Sequence, residues 1–92
     1  MRDVFHALSS HLNQPLHSDA ELDTQGLVCP EPLMLVRNKV RDLQTGEVLH
    51  IVATDPSTHR DFSNFCRFMG HELLRADVDG ELLQYWIKKV GG

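Results

Sequence analysis

Cysteine is scarce in this 92-residue chain: only Cys29 and Cys66 occur. Two thiols are too few to staple a secreted mini-fold, so a packed core must hold one small domain together. Basic residues are also in deficit. Nine Lys+Arg stand against thirteen Asp+Glu, a formal net charge of -4. That balance argues against non-specific nucleic-acid binding, which needs a cationic surface to release counterions from phosphates. No apolar run approaches the roughly 20 residues of a bilayer span; Leu33-Met34-Leu35-Val36 is among the longest. Arg2 is followed by Asp3 rather than by an apolar secretory segment, so a cytoplasmic protein is expected. None of the six histidines stands three or four residues from another histidine or from a cysteine, the spacing that zinc motifs use. A glycine-rich phosphate loop, a G-x-S-x-G turn and a nucleophilic triad are missing as well. No metal and no cofactor is expected.

What is present is periodic from Ala20 onward. Residues 1–18 stand apart as an N-terminal extension: Val4, Phe5, Leu8 and Leu12 would line about two helical turns, too short to be stable alone, so a mobile tail is expected. Residues 19–92 form the domain proper. Ala20 to Asp23 alternates as a short strand until Gly26 breaks it. Leu33, Val36, Val40 and Leu43 recur at helical steps up to the stop at Thr45-Gly46. Glu47 to Thr54 is a β-rich run with Leu49, Ile51 and Ala53 on one face. Phe62, Phe65, Cys66 and Met69 mark a second helix, ended by Gly70. Glu72 to Val78 and Glu81 to Lys89 read as strands joined at Asp79-Gly80, a favoured hairpin turn. The order βαβαββ predicts an α+β domain: a two-layer α/β sandwich with two helices packed on one face of a four-stranded mixed sheet.

The most informative stretch is Cys29-Pro30-Glu31-Pro32. Pro30 biases Cys29 toward extended backbone, and prolines are tolerated in a helix's first turn, where no intrahelical hydrogen bond is lost. Cys29 is therefore expected at a helix N-cap, partly exposed, with free amides and the helix dipole favouring its thiolate and Glu31 opposing them. Cys66 shares a face with Phe62, Phe65 and Met69 and is expected to be inert core. Met34, Arg37 and Arg41 lie together around the first helix. The pattern leaves two readings open there: a solvated basic face, or a docking patch beside a nucleophilic sulfur. Phe68 is off the second helix's stripe, either an exposed aromatic or an edge of the core.

Gly26-Leu27-Val28-Cys29-Pro30-Glu31-Pro32-Leu33 strongly resembles the TusA/SirA family of sulfur carrier proteins. The likeness continues through Val36-Arg37, Gly46-Glu47, Asp55-Pro56, Arg60-Asp61, Phe65-Cys66, Phe68-Met69, His71-Glu72-Leu73 and Gly91-Gly92. The resemblance implies a sulfurtransferase that receives a persulfide sulfur from a cysteine desulfurase on Cys29. It then relays that sulfur to an acceptor protein, toward 2-thiolation of wobble uridine in tRNA. It also implies a partner surface at Met34, Arg37, Arg41, Asp55 and Phe68, with Pro30, Glu31 and Pro32 as motif support. No direct sequence-specific nucleic-acid contact and no membrane is expected. Two other readings compete: a thiocarboxylate carrier charged at Gly92, and a non-catalytic regulatory or RNA-interaction module of the same fold.

Overall fold

The computed structural model describes residues 17–90. The expected extension over 1–18, apart from His17 and Ser18, and the Gly91-Gly92 terminus lie outside the described residues.

Four strands and two helices follow in the expected order: β1 (Ala20–Thr24), α1 (Glu31–Asp42), β2 (Val48–Ala53), α2 (Thr58–Met69), β3 (Glu72–Asp79) and β4 (Leu82–Lys88). The sheet order is β1-β2-β4-β3, with β1 parallel to β2 and β4 antiparallel to both β2 and β3. The last strand thus inserts between β2 and β3, a split βαβ arrangement. Period-two alternation then decides what is buried. Leu49, Ile51 and Ala53 of β2 sit opposite Ile87, Tyr85 and Leu83 of β4. All six are at most 8% exposed and meet Val36 and Val40 of α1 and Phe62, Phe65 and Cys66 of α2. Phe62 stands edge-on to Tyr85, with centroids 4.8 Å apart, and the buried Tyr85 hydroxyl is satisfied by Thr58 Oγ1 at 2.9 Å.

One local reading changes. Met69 is 52% exposed rather than core, because Gly70 turns left-handed (φ 81°) directly after it and ends the helix at the rim. His71 precedes β3, with its Nδ1 accepting from the Val90 amide at 3.1 Å. Trp86 alternates with the core residues, yet on the helix-free face it is only 2% exposed. There it stacks on His50 at 4.7 Å and lies under the Arg75 guanidinium at 5.6 Å. Among the described residues no helix is long and apolar enough to cross a membrane.

Candidate functional site

β1 and β2 are parallel neighbours whose ends are in register, Thr24 opposite Ala53. The loops that leave those ends, β1–α1 and β2–α2, must therefore meet. Thr24 Oγ1 donates to the Val52 carbonyl (2.9 Å), and the Gly26 amide donates to Thr54 Oγ1 (2.9 Å). Gly26 itself takes φ +84°, a conformation L side chains rarely adopt, and so turns the chain toward α1.

Cys29 stands in this crossing, exposed at the surface. The N-cap of α1 is Pro30, with Glu31 as first helical residue, so Cys29 lies one position before the expected one; the Cys29–Pro30 peptide is cis. The shift follows from hydrogen bonding. The Glu31 amide is already spent on the Val28 carbonyl at 3.0 Å, closing a turn before the helix starts. Pro32 is buried and Glu31 exposed, and the two prolines and the glutamate shape the helix start.

What fixes Cys29 is Asp55, from the β2–α2 loop. Its Oδ2 accepts the Cys29 amide at 2.7 Å, and its Oδ1 accepts the Ser57 amide at 3.0 Å. These two amide donors hold the Asp55 carboxyl below the usual carboxylate range, with the Arg60 charge adding to them. The carboxylate expected on a partner surface is thus committed to the loop itself.

The sulfur's acidity runs opposite to expectation. Cys29 is held above the ordinary thiol range, first because Asp61 accepts a hydrogen bond from the thiol, then through partial loss of solvent and the charges of Asp61 and Asp55. The Ser57 hydroxyl works weakly the other way. Two carboxylates from the second loop and helix set this direction, and Glu31 is not the opposing group. Cys66 is 3% exposed, and burial pushes its thiol up to about 11. It is core, as its helical position implied.

The surface beside Cys29 carries exposed apolar side chains: Phe68 at 89%, Val28 at 64% and Met34 at 53%. Between the helices an open groove of about 480 Å³ is lined by Leu33, Arg37, Asp61, Asn64, Phe65, Phe68 and Met69. Phe68 is therefore exposed rather than a core edge. The groove brings together Arg37, Phe68 and the carboxylate that faces Cys29. Arg41 lies beyond it, in a smaller cavity with Arg37, His71 and Lys89, and bonds Asn38 on its own helix. Lys89 is not free for a ligand; its Nζ caps α1 at the Leu43 carbonyl, 2.6 Å away. Among the described residues no group of three His, Cys, Asp or Glu could hold a metal. Ser57 and Asp61 were missed in the sequence. The signal was there in weak form: Thr58-x-x-Asp61 begins a helix, and two parallel strands of matched length bring their exit loops together.

Comparison with known proteins places the chain in a family. The curated sulfur carrier protein TusA of Pseudomonas syringae is 48% identical over 81 residues, covering 85% of this chain and 96% of that protein. TusA of Pseudomonas paraeruginosa is 54% identical over 71 residues, 77% of this chain and 90% of that one. The crystal structure of a SirA-like protein from Desulfitobacterium hafniense superposes with a TM-score of 0.69, covering 78% of this chain and 99% of that one; at 18% identity it bears on the fold alone. The family model described as sulfurtransferase TusA matches residues 20–89, which takes in both loops, both helices and the whole sheet. This chain belongs to the TusA family.

Proposed function

We propose that this protein carries sulfur on Cys29 as a persulfide and passes it between protein thiols. The observation that supports this best is an exposed cysteine whose backbone is clamped by Asp55, beside exposed apolar and basic side chains. In loading, a lone pair of Cys29 Sγ attacks the terminal sulfur of a donor persulfide. The Sγ–S bond forms, the donor S–S bond breaks, and its electron pair stays on the donor's cysteine sulfur, which takes up the proton that Cys29 gives away. Cys29 is oxidised to the persulfide as the donor is reduced to the thiol, so no external redox partner is required. Unloading repeats the step with an acceptor thiolate. No other thiol is accessible to discharge the persulfide as a disulfide, since Cys66 is buried.

The family role makes a cysteine desulfurase the donor and a relay protein the acceptor, with 2-thiolated wobble uridine of tRNA as the destination. Met34, Arg37, Arg41 and Phe68 would meet the donor; Asp55 contributes through Cys29. The test is intact mass spectrometry after incubation with a cysteine desulfurase and cysteine, followed by peptide mapping. One added sulfur on Cys29, lost in Cys29→Ser and retained after deletion of Gly91-Gly92, is the expected result. Sulfur on the C-terminal glycine in the presence of ATP and an adenylating enzyme would replace this reading with the thiocarboxylate one.

A further inference from the structure

Ser57 occupies the N-cap of α2 but makes no capping hydrogen bond. Serine is favoured there because its oxygen accepts an amide two or three residues on. Here the helix start is held without it. Asp55 takes the Ser57 amide on its carboxylate, the Thr58 amide on its carbonyl at 3.0 Å and the Thr58 hydroxyl at 2.7 Å on the same carbonyl. The Asp61 amide goes to the Ser57 carbonyl, 3.0 Å away. The hydroxyl is left over. Its Oγ is shut off from solvent with no partner at hydrogen-bond geometry, alone in this among the side-chain atoms of the described residues, while the Asp55 carboxylate and the Cys29 sulfur are near enough to feel it weakly. Burying a hydroxyl unpaired is unfavourable, so its presence calls for a use that the resting protein does not display.

Its position indicates that use. One carboxylate, Asp55, grips the amides of both Ser57 and Cys29, which sets the two residues side by side. The charged groups facing the sulfur from the packed elements are Asp55 of the β2–α2 loop and Asp61 of α2. Arg60 is drawn off toward Asp61 at 3.5 Å. Each of these carboxylates disfavours negative charge on sulfur, and Ser57 is the neutral donor among them. We propose that Ser57 is a positioning residue for sulfur transfer, its hydroxyl held in reserve to donate to Cys29 Sγ whenever that sulfur becomes anionic. This rests on the reading of Cys29 as the sulfur-carrying residue. The charge arises twice in a cycle. It is present when the thiol has lost its proton and Sγ attacks the donor's terminal sulfur. It returns on unloading, when the acceptor thiolate bonds the terminal sulfur, the Sγ–S bond breaks and the electron pair is left on Sγ. In the resting thiol the proton goes to Asp61, and the Ser57 hydroxyl acts on the sulfur only weakly.

The expected size follows from a hydrogen bond to a charged group, about one pH unit in thiol acidity. Ser57→Ala then has roughly tenfold less thiolate at neutral pH. Nucleophilicity rises with basicity and recovers about threefold of that, leaving attack by Cys29 roughly threefold slower. Unloading slows as well, because a more basic sulfur is a poorer leaving group.

The test uses the full chain as wild type, Ser57→Ala and Ser57→Thr, which keeps the hydroxyl. The first readout is the pH profile of iodoacetamide alkylation mapped to Cys29, which needs no sulfur donor. A midpoint raised by about one pH unit in Ser57→Ala and unchanged in Ser57→Thr supports the proposal. The thermal midpoint of Ser57→Ala should equal or exceed wild type, because an unpaired buried hydroxyl has been removed. An alkylation midpoint unmoved in Ser57→Ala overturns the proposal, as does a loss of several degrees in thermal midpoint, which marks a helix cap. The second readout is discharge of the loaded persulfide to dithiothreitol, expected to be slower in Ser57→Ala. Wild type that never loads overturns the carrier reading and the transfer role with it. Loading and discharge at wild-type rates in Ser57→Ala overturn the role of Ser57 alone.

Discussion

Cys29 and Cys66 show how the same side chain acquires two chemistries from its surroundings. Cys29 is exposed and answers to carboxylates; Cys66 is shut in the core and answers to burial. Cys29→Ser should carry no sulfur, while Cys66→Ala should load normally and lose ~1–2 kcal/mol of stability, measured by urea unfolding. Because the Asp61 carboxylate is the main reason Cys29 is a weak acid, Asp61→Asn should move the alkylation profile of Cys29 to lower pH. A profile that stays in place would remove Asp61 from the account. Asp55 acts on the backbone instead. Asp55→Ala frees the Cys29 amide, which should then exchange its proton with solvent markedly faster, as NMR hydrogen exchange can read residue by residue.

At the scale of elements, α1 joins the sulfur to the surface that would choose its partners. Val36 and Val40 seat the helix on the core, and Pro30-Glu31-Pro32 sets where it begins, so the exposed Met34, Arg37 and Arg41 stand at fixed distances from Cys29. Rim charges mainly steer encounter, and apolar anchors mainly slow release. The double reversal of Arg37 and Arg41 to Glu should weaken desulfurase association, most at low salt, with folding and Cys29 alkylation unchanged. Met34→Ala should speed dissociation with little salt dependence. Loading kinetics of the double reversal that match wild type across ionic strength would leave both arginines as ordinary solvated residues. The second helix depends on a different device. Gly70, at φ +81°, ends α2 and aims the chain at β3, so Gly70→Ala should cost ~1 kcal/mol without affecting Cys29.

For the whole molecule, the weakened acidity of buried groups contributes to stability that alkaline pH removes. Burial pushes the Cys66 thiol up to about 11 from an ordinary 9.0 and raises Tyr85 above 10.0 in the same sense. Folded pKa values above the unfolded ones mean that the native state holds its protons longer. The Cys66 contribution is complete below pH about 9 and is lost as pH climbs toward about 11; that of Tyr85 is lost in the same direction. Urea midpoints should therefore fall across that window, and less steeply in Cys66→Ala. Equal slopes in the two proteins would show that the buried thiol does not contribute.

The order of elements was legible because periodicity is a local property. Leu33, Val36 and Val40 announce a helix whatever lies around them, and Asp79-Gly80 joins two strands through its own backbone preference. The placing of Cys66 in the core followed from the same arithmetic. The motif around Cys29 also singled out the cysteine that the fold leaves exposed. What the chain could not reveal locally was the company each residue keeps. Cys29 meets Asp55, Ser57 and Asp61 only because β1 and β2 pair in parallel and end together, contacts spanning 26 residues in the case of the Asp55 clamp. Reading α1 alone predicted a thiol made acidic by a helix dipole; the fold supplied two carboxylates whose negative charge disfavours the thiolate. Trp86 sits on the helix-free face by alternation, yet His50 and Arg75 from strands on either side cover it. Local propensity determined which elements form and where the sulfur is, whereas its acidity and its neighbours were decided by strand pairing, because charge and burial depend on distances that only tertiary structure fixes.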